Sequence, residues 1–237
     1  MTQLELLLDA LMCCGWITTY TLVLIGTKIY KFPLISLSTQ ISIASVEIAV
    51  LISFIVNKYI FNYAYFAYLY WSVIEVMIIF ISLKQRNFTK EQKYKYWVTL
   101  IVLIIIMSFI LKIDKGMLYF TYLNTIVGMI LWFYYTLEKN YPIKPFVVAI
   151  FIVKMIADIL GAIVYYNSYN NLVRFMSVFL PCIDLPFIIL YFYRYFNQEK
   201  YNIFYDRFEK YLPKIKLYVP EKKKSAYGKM NKKKMKK

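Results

Sequence analysis

The stretch LIVLIII at residues 100–106 consists of seven consecutive large aliphatic residues with no polar side chain among them. A transmembrane β-strand alternates polar and apolar residues over about ten positions, so this pattern is not that of a barrel strand. A bilayer core about 30 Å thick requires roughly 20 apolar residues per helix. Residues 100–106 therefore lie at the centre of one predicted membrane-spanning helix.

The composition extends this prediction to the whole chain. Of its 237 residues, 61% are hydrophobic and 18% are charged, and the mean hydropathy is +0.52. Soluble globular domains carry about 45–50% apolar and about 25% charged residues. The composition therefore excludes a soluble globular fold and predicts an all-α integral membrane protein.

Seven apolar stretches are long enough to span a bilayer, and short connections join them. We predict a seven-helix transmembrane domain over 1–196, an amphipathic interfacial segment over 197–220 and a disordered polybasic cytosolic tail over 221–237. The amino terminus lacks the positive flank of a signal peptide, so we expect the first span to be retained. The predicted spans are 5–27, 34–56, 60–83, 97–112, 118–137, 145–166 and 172–194.

The distribution of lysine and arginine predicts the orientation of the bundle. The connections on the side of the tail carry nine such residues and those on the other side carry four, while the tail from residue 197 adds fourteen. Cytoplasmic loops carry the excess of positive charge. We therefore expect the amino terminus outside and the carboxyl terminus in the cytosol. The abundance of Lys, Ile, Asn and Tyr is typical of an AT-rich microbe, which predicts a location in its cytoplasmic membrane.

Four carboxylates lie near the middle of predicted spans: Glu47, Glu75, Asp158 and Asp184. An ionisable residue at the bilayer centre costs about 2.5–3.5 kcal/mol on insertion scales. Lys154, the one cation that we expect to be buried, lies four residues before Asp158 and is the predicted counter-ion on the same helix face. The other three acids have no obvious partner, which predicts that they are protonated, bind a cation or line water. The alternative is that they only hydrogen-bond neighbouring helices.

The last of these acids lies between two prolines in the segment PCIDLP at 181–186. Each proline lacks a backbone N–H and leaves a carbonyl one turn earlier without its helical partner. Pro181 and Pro186 therefore predict a break in the seventh span, and a broken helix beside a carboxylate is typical of cation sites in transporters. A kink that serves packing alone is the alternative.

Three sequence offsets suggest an internal parallel repeat. Pro33 and Pro145 differ by 112 positions, Glu47 and Asp158 by 111, and Glu75 and Asp184 by 109. These offsets predict three helices, one lipid-facing linker helix and three further helices in the same orientation. The layout resembles the three-plus-one-plus-three sugar-transporter families, although their Pro-Gln signature is absent.

The tail carries two further signals. Aromatic residues from Tyr201 to Tyr211 recur at helical spacing, which predicts a helix that lies in the membrane interface or packs on the domain's own loops and ends at Pro213. Beyond it, the lysines favour contact with anionic lipid headgroups, with a soluble cytosolic protein or nucleic acid as the alternative partner. The lysines predicted to bind are Lys222, Lys223, Lys224, Lys232, Lys233, Lys234, Lys236 and Lys237.

The function predicted first is that of a carrier or conductor for a cation, a proton or a small polar solute, with the four acids along its path. The alternative is a membrane-anchored sensor, effector or accessory protein, for instance of a defence system, whose basic loop 84–96 and tail bind a partner. The chain has no histidine, and we predict no cofactor, no metal site and no enzymatic activity. The lesser alternative is an intramembrane aspartyl hydrolase that uses Asp158 and Asp184. A homo-oligomer is compatible with either main function.

Overall fold

The computed structural model describes residues 3–58, 63–86, 88–111, 116–138, 141–168 and 171–208. Within these ranges the chain forms eight α-helices and no strand, as the composition predicts. The helices are α1 (Gln3–Tyr30), α2 (Leu37–Val56), α3 (Tyr63–Gln85), α4 (Lys90–Ile110), α5 (Gly116–Thr136), α6 (Pro145–Ser168), α7 (Asn171–Phe196) and α8 (Gln198–Phe208).

Six of the described helices are long and apolar enough to cross a membrane: α1, α2, α3, α4, α6 and α7. The sequence predicts seven spans, and the additional one corresponds to α5, which is 21 residues long. The side chains of its first turns lie outside the described residues. The structure therefore supports an integral membrane protein with six candidate spans.

The fourth helix begins earlier than the sequence predicts, and a local hydrogen-bond motif explains why. Thr89 is the N-cap of α4, and Thr89 and Gln92 form a reciprocal capping box, which satisfies two backbone donors at the start of a helix. The prediction of a basic loop over 84–96 is therefore wrong for most of its length. Lys90 and Lys95 belong to the first turns of α4 and are exposed.

The seventh helix is continuous through both of its prolines. α7 runs from Asn171 to Phe196 with Pro181 and Pro186 inside it, so the predicted helix break is wrong. Neighbouring helices in a membrane bundle stabilise a proline-containing helix, and α7 packs against α5 and α6 on either side. The missing amides still leave the backbone carbonyls of Ser177 and Cys182 without their usual helical partners.

The bundle is assembled from seven main helix contacts. α1 packs against α3 and α6, α2 against α3, α4 and α5, and α7 against α5 and α6. α4 contacts the bundle through α2, and Leu100 is its one buried residue within the described part of that helix. α4 therefore lies at the periphery, with Ile101, Ile105 and Phe109 exposed.

The core of the bundle is aromatic at the end where α5 terminates and α6 begins. Trp132 of α5, Phe151 of α6 and Phe187 of α7 pack together, with ring centroids 5.1 Å apart for Trp132 and Phe151 and 4.7 Å apart for Phe151 and Phe187. Edge-to-face and tilted aromatic pairs at such distances contribute beyond the area they bury. All three side chains are buried, and we call this cluster of Trp132, Phe151 and Phe187 the aromatic plug.

Candidate functional site

Toward the opposite end, the bundle contains a partly open cavity of about 150 Å³. Side chains of α1, α2, α3, α5, α6 and α7 line it, so six helices converge on a single space. The lining residues lie near the start of α3 and α7 and in the second half of α6. In an up-and-down bundle, these positions share the end of the molecule that holds the amino terminus of α1.

Two of the four predicted acids line this cavity. Glu47 of α2 and Asp158 of α6 are both among its wall residues, and both are buried. Glu75 and Asp184 are not wall residues. Glu75 interacts electrostatically with Glu47, and Asp184 interacts electrostatically with Asp158. The four carboxylates are therefore arranged as two pairs, Glu47 with Glu75 and Asp158 with Asp184, beside one cavity.

The Glu47 carboxylate is held by a single hydrogen bond. The Tyr20 hydroxyl on α1 donates to Glu47 Oε1 at 2.9 Å, while Glu47 Oε2 has no hydrogen-bond partner among the described residues. The sequence predicts no partner for this acid, and that prediction is wrong for one of its two oxygens. The Tyr20 hydroxyl carries no charge, so a sequence prediction based on compensating cations does not identify Tyr20 as the partner of Glu47.

Glu75 is the most isolated of the acids. It is fully buried on α3, and neither carboxyl oxygen has a hydrogen-bond partner within the described ranges. That this acid lacks a partner in the whole chain stays a prediction. Glu75 lies one turn beyond Trp71, whose indole forms part of the cavity wall. A buried carboxyl group without a partner is a strong candidate for protonation or cation binding.

Lys154 forms an ion pair with each acid of the second pair. Its ammonium lies 2.5 Å from Asp158 Oδ2 and 2.8 Å from Asp184 Oδ1, and all three side chains are buried. The ion pair with Asp158 is the one that the four-residue spacing predicts. The expectation that Asp184 lacks a partner is wrong, because Lys154 also reaches across from α6 to α7. The Nζ atom lies 4.9 Å from the centroid of the Trp16 ring, within the range of a cation–π interaction.

The cavity wall is rich in aromatic rings as well as acids. Trp16 and Tyr20 of α1 form one pair with centroids 5.8 Å apart, and Tyr68 and Trp71 of α3 form a second pair at 4.9 Å. Tyr165 of α6 completes the aromatic wall. The cavity is therefore a small space with aromatic sides and one carboxylate, Glu47, that no described cation contacts.

Prolines contribute to the site through the backbone rather than through a helix break. Ser177 lines the cavity, and its carbonyl is the one that Pro181 deprives of a helical donor. The Ser177 hydroxyl itself donates to the carbonyl of Arg174 at 3.0 Å. The Ser177 carbonyl lies one turn before Pro181, so this proline changes the backbone hydrogen bonding at one residue of the cavity wall.

Arg194 is a second buried cation that the sequence analysis missed. It is 1% exposed, and its guanidinium donates to the carbonyls of Thr136 and Glu138, the latter at 2.9 Å. Its Cζ lies 4.3 Å from the centroid of the Tyr201 ring on α8. The predicted seventh span ends at this residue, which placed it at the surface. The sequence signal for its burial is its position one turn before an aromatic amphipathic helix.

The first helix of the tail packs on the domain's own connection between α5 and α6. The Tyr201 hydroxyl donates to the carbonyl of Leu137, and the Tyr205 hydroxyl donates to Glu138 Oε2 at 2.9 Å. Burial raises the pKa of the Tyr201 hydroxyl above its usual value, so the group remains a donor at neutral pH. These contacts agree with the second of the two placements expected for this helix.

The remaining predicted residues lie outside the described residues. They include Pro213 and the eight lysines between Lys222 and Lys237 that were predicted to bind a partner or lipid. Comparison of the chain with protein families, with curated proteins and with solved structures found no match. Its function is therefore argued from the residues of the site alone.

Proposed function

We propose that this chain is a membrane carrier that moves a small cation, a proton or a small polar solute through the acidic interior of a seven-helix bundle. The observation that carries the proposal is the convergence of six helices on one cavity that has a buried acid on each side, Glu47 and Asp158. Buried acids that face a cavity inside a membrane mark the paths of ions and substrates.

The helix packing supports the predicted parallel repeat. The repeat pairs α1 with α5, α2 with α6 and α3 with α7. Under this pairing, the contact of α1 with α3 corresponds to the contact of α5 with α7. The contact of α2 with α3 corresponds to the contact of α6 with α7. The contact of α1 with α6 becomes that of α5 with α2. All of these contacts occur. The same pairing relates the acid pair of the first half to the acid pair of the second half.

In this proposal α5 is the seventh span, and α4 is the linker between the two halves. The amino terminus lies outside and the carboxyl terminus in the cytosol, as the excess of basic residues on the tail's side favours. The cavity then lies in the outer half of the bundle, and the aromatic plug closes the cytosolic half. Repeats that rock against each other around a central site give alternating access, so this arrangement corresponds to a state in which the site is closed to the cytosol.

Reconstitution of the purified chain into proteoliposomes tests the proposal. We expect flux of protons, alkali cations or small organic solutes above that of empty vesicles, measured with entrapped pyranine and by solid-supported membrane electrophysiology. Glu47→Gln and Asp158→Asn are expected to reduce this flux at least tenfold. The matched control is Glu91→Gln, because Glu91 is an exposed acid paired with Lys95 on α4. Absence of flux for every probe, or equal flux in all three variants, would contradict the proposal.

The second candidate, a membrane-anchored sensor or effector, is favoured by one observation. The first turns of α4 present exposed Lys90 and Lys95 beside the exposed Lys84 at the end of α3. In the proposed orientation this basic patch faces the cytosol with the tail, where it is accessible to a soluble acidic partner. Removal of the tail distinguishes the two functions.

A further inference from the structure

We propose that the cavity binds a small organic ammonium ion, with Glu47 as its counter-ion and the aromatic rings of α1 and α3 as its walls. This inference deepens the proposed carrier function by naming the class of its substrate. Binding itself is measurable without transport, so the two proposals can fail separately.

The charges around the cavity are unequal. Asp158 shares Lys154 with Asp184, at 2.5 Å and 2.8 Å, so this side of the cavity already contains a cation. No described cation contacts Glu47, whose Oε2 has no hydrogen-bond partner in the described part of the chain. A ligand that adds one positive charge beside Glu47 would compensate the buried charge, and a hydroxyl or N–H group on such a ligand would donate to this oxygen.

In the proposed repeat, Lys154 has no basic counterpart in the first half of the chain. Asp158 corresponds to Glu47 at an offset of 111, and the same offset relates Lys154 to position 43. That position holds Ile43, which lines the cavity. At corresponding positions, the first half therefore has an aliphatic side chain and the second half has an ammonium group. The Glu47 carboxylate in the first half is left for a cation that a ligand supplies.

The aromatic walls favour an organic cation. Trp16, Tyr20, Tyr68 and Trp71 line the cavity as two adjoining ring pairs. Cations within about 6 Å of a ring centroid are attracted to its face, and rings of this kind recognise quaternary and substituted ammonium groups. Trp16 already interacts in this way with Lys154 Nζ at 4.9 Å. The methyl or methylene groups of an organic ammonium ion would bury their apolar surface against the same rings.

The size of the cavity limits the ligand. A cavity of 150 Å³ in another protein accommodates benzene, and the cavity here has about that volume. Ammonium ions of comparable size, such as tetramethylammonium and choline, are therefore suitable probes.

Equilibrium binding to the purified full-length chain in detergent tests the inference. Isothermal titration calorimetry would compare choline with its uncharged isostere, in which carbon replaces the ammonium nitrogen. The charge is the only large difference between the two ligands, so we expect choline to bind at least tenfold more tightly than the isostere. Tetramethylammonium is expected to compete with choline.

Substitutions then assign the site. Glu47→Gln and Trp71→Leu are expected to weaken choline binding at least tenfold. The matched controls Glu91→Gln and Trp97→Leu change an acid and an indole of α4, which does not contribute to the cavity wall, and are expected to leave the affinity within twofold. Circular dichroism and size-exclusion chromatography establish that each variant is folded.

The wild-type chain alone can overturn the inference. Equal affinity for choline and its isostere, or no binding of either ammonium probe at millimolar concentration, would contradict it. Flux of protons or uncharged solutes without ammonium binding would overturn this inference and leave the carrier function standing. Selective choline binding without flux of any probe would support the inference and overturn the carrier function.

Discussion

Lys154 on α6 forms an ion pair of 2.8 Å with Asp184 on α7, thirty positions away along the chain, beside its 2.5 Å pair with Asp158. One ammonium group therefore joins two helices and compensates one of the two negative charges on its side of the cavity. The opposite side, with Glu47 and Glu75, has no described cation of its own. This difference in charge is the basis of the proposal that the cavity binds an ammonium ion.

Loss of the buried ammonium should destabilise the bundle. Lys154→Met leaves Asp158 and Asp184 buried without a cation, and removing one partner of a buried ion pair costs about 3–5 kcal/mol. We therefore expect a clear drop in the free energy of unfolding, measured by denaturation with increasing mole fraction of SDS in mixed micelles.

The chain provides a matched control for that substitution. Lys95 also pairs with an acid four residues away on its own helix, but both side chains are exposed. An exposed pair contributes about 0–1 kcal/mol, so Lys95→Met should change the free energy of unfolding little. Equal losses in Lys95→Met and Lys154→Met would show that burial of the Lys154 cluster has no energetic consequence.

The close approach of α1 and α6 depends on a glycine. A Cβ at Gly15 would lie 2.7 Å from the Cβ of Ala157, so Gly15→Ala forces the two helices apart. Overpacking of this kind costs about 1–3 kcal/mol, measured by the same unfolding assay. Ala157→Gly removes the opposing Cβ and should restore part of the loss in the double variant. Additive losses in Gly15→Ala/Ala157→Gly would contradict this account of the contact.

Arg194 should hold α8 against the end of α5. Arg194→Gln removes the guanidinium that contacts the carbonyls of Thr136 and Glu138 and the Tyr201 ring. Hydrogen bonds to charged groups contribute about 1.5–3 kcal/mol each, so the amides of Gln198–Phe208 should exchange with deuterium faster in this variant.

The other end of α7 provides the control for Arg194. Arg174 also donates to a backbone carbonyl, that of Tyr166, and lies over the Tyr166 ring at 5.2 Å. Arg174→Gln should therefore leave deuterium exchange in α8 unchanged. Unaltered exchange in Arg194→Gln would mean that α8 is held by its tyrosines alone.

Removal of residues 221–237 separates the two candidate functions. The cavity is formed by residues of α1, α2, α3, α5, α6 and α7, so deletion of the tail should leave flux in proteoliposomes within about twofold of the wild-type rate. The sensor or effector function instead requires the basic tail for a partner. Loss of flux on removal of the tail would contradict the carrier function.

The helices and one ion pair were predictable from local spacing. Long apolar stretches specify membrane helices because each must satisfy its own backbone hydrogen bonds in lipid. Lys154 and Asp158 are four residues apart, which places them on one helix face. Both inferences need only residues that are near each other in the chain, and both agree with the structure.

The contacts between helices were not predictable in this way. The pairing of Lys154 with Asp184 and of Tyr20 with Glu47 depends on which helices are neighbours and on their rotation, and hydropathy does not encode either property. The sequence shows that an aromatic amphipathic helix follows Arg194, but it does not specify that this helix folds back over the guanidinium.

Accessibility of the cavity to water can be measured with a single introduced cysteine. In a background where Cys13, Cys14 and Cys182 are replaced, Ser177→Cys places a thiol on the cavity wall, whereas Ile150→Cys places one in the packed core at the opposite end of the bundle. A membrane-impermeant, positively charged methanethiosulfonate reagent, applied separately to each face of oriented vesicles, should modify Ser177→Cys from the outer face only and leave Ile150→Cys unmodified. If Ser177→Cys is as unreactive as Ile150→Cys from both faces, the cavity is not a hydrated site for solutes, and the carrier function is contradicted.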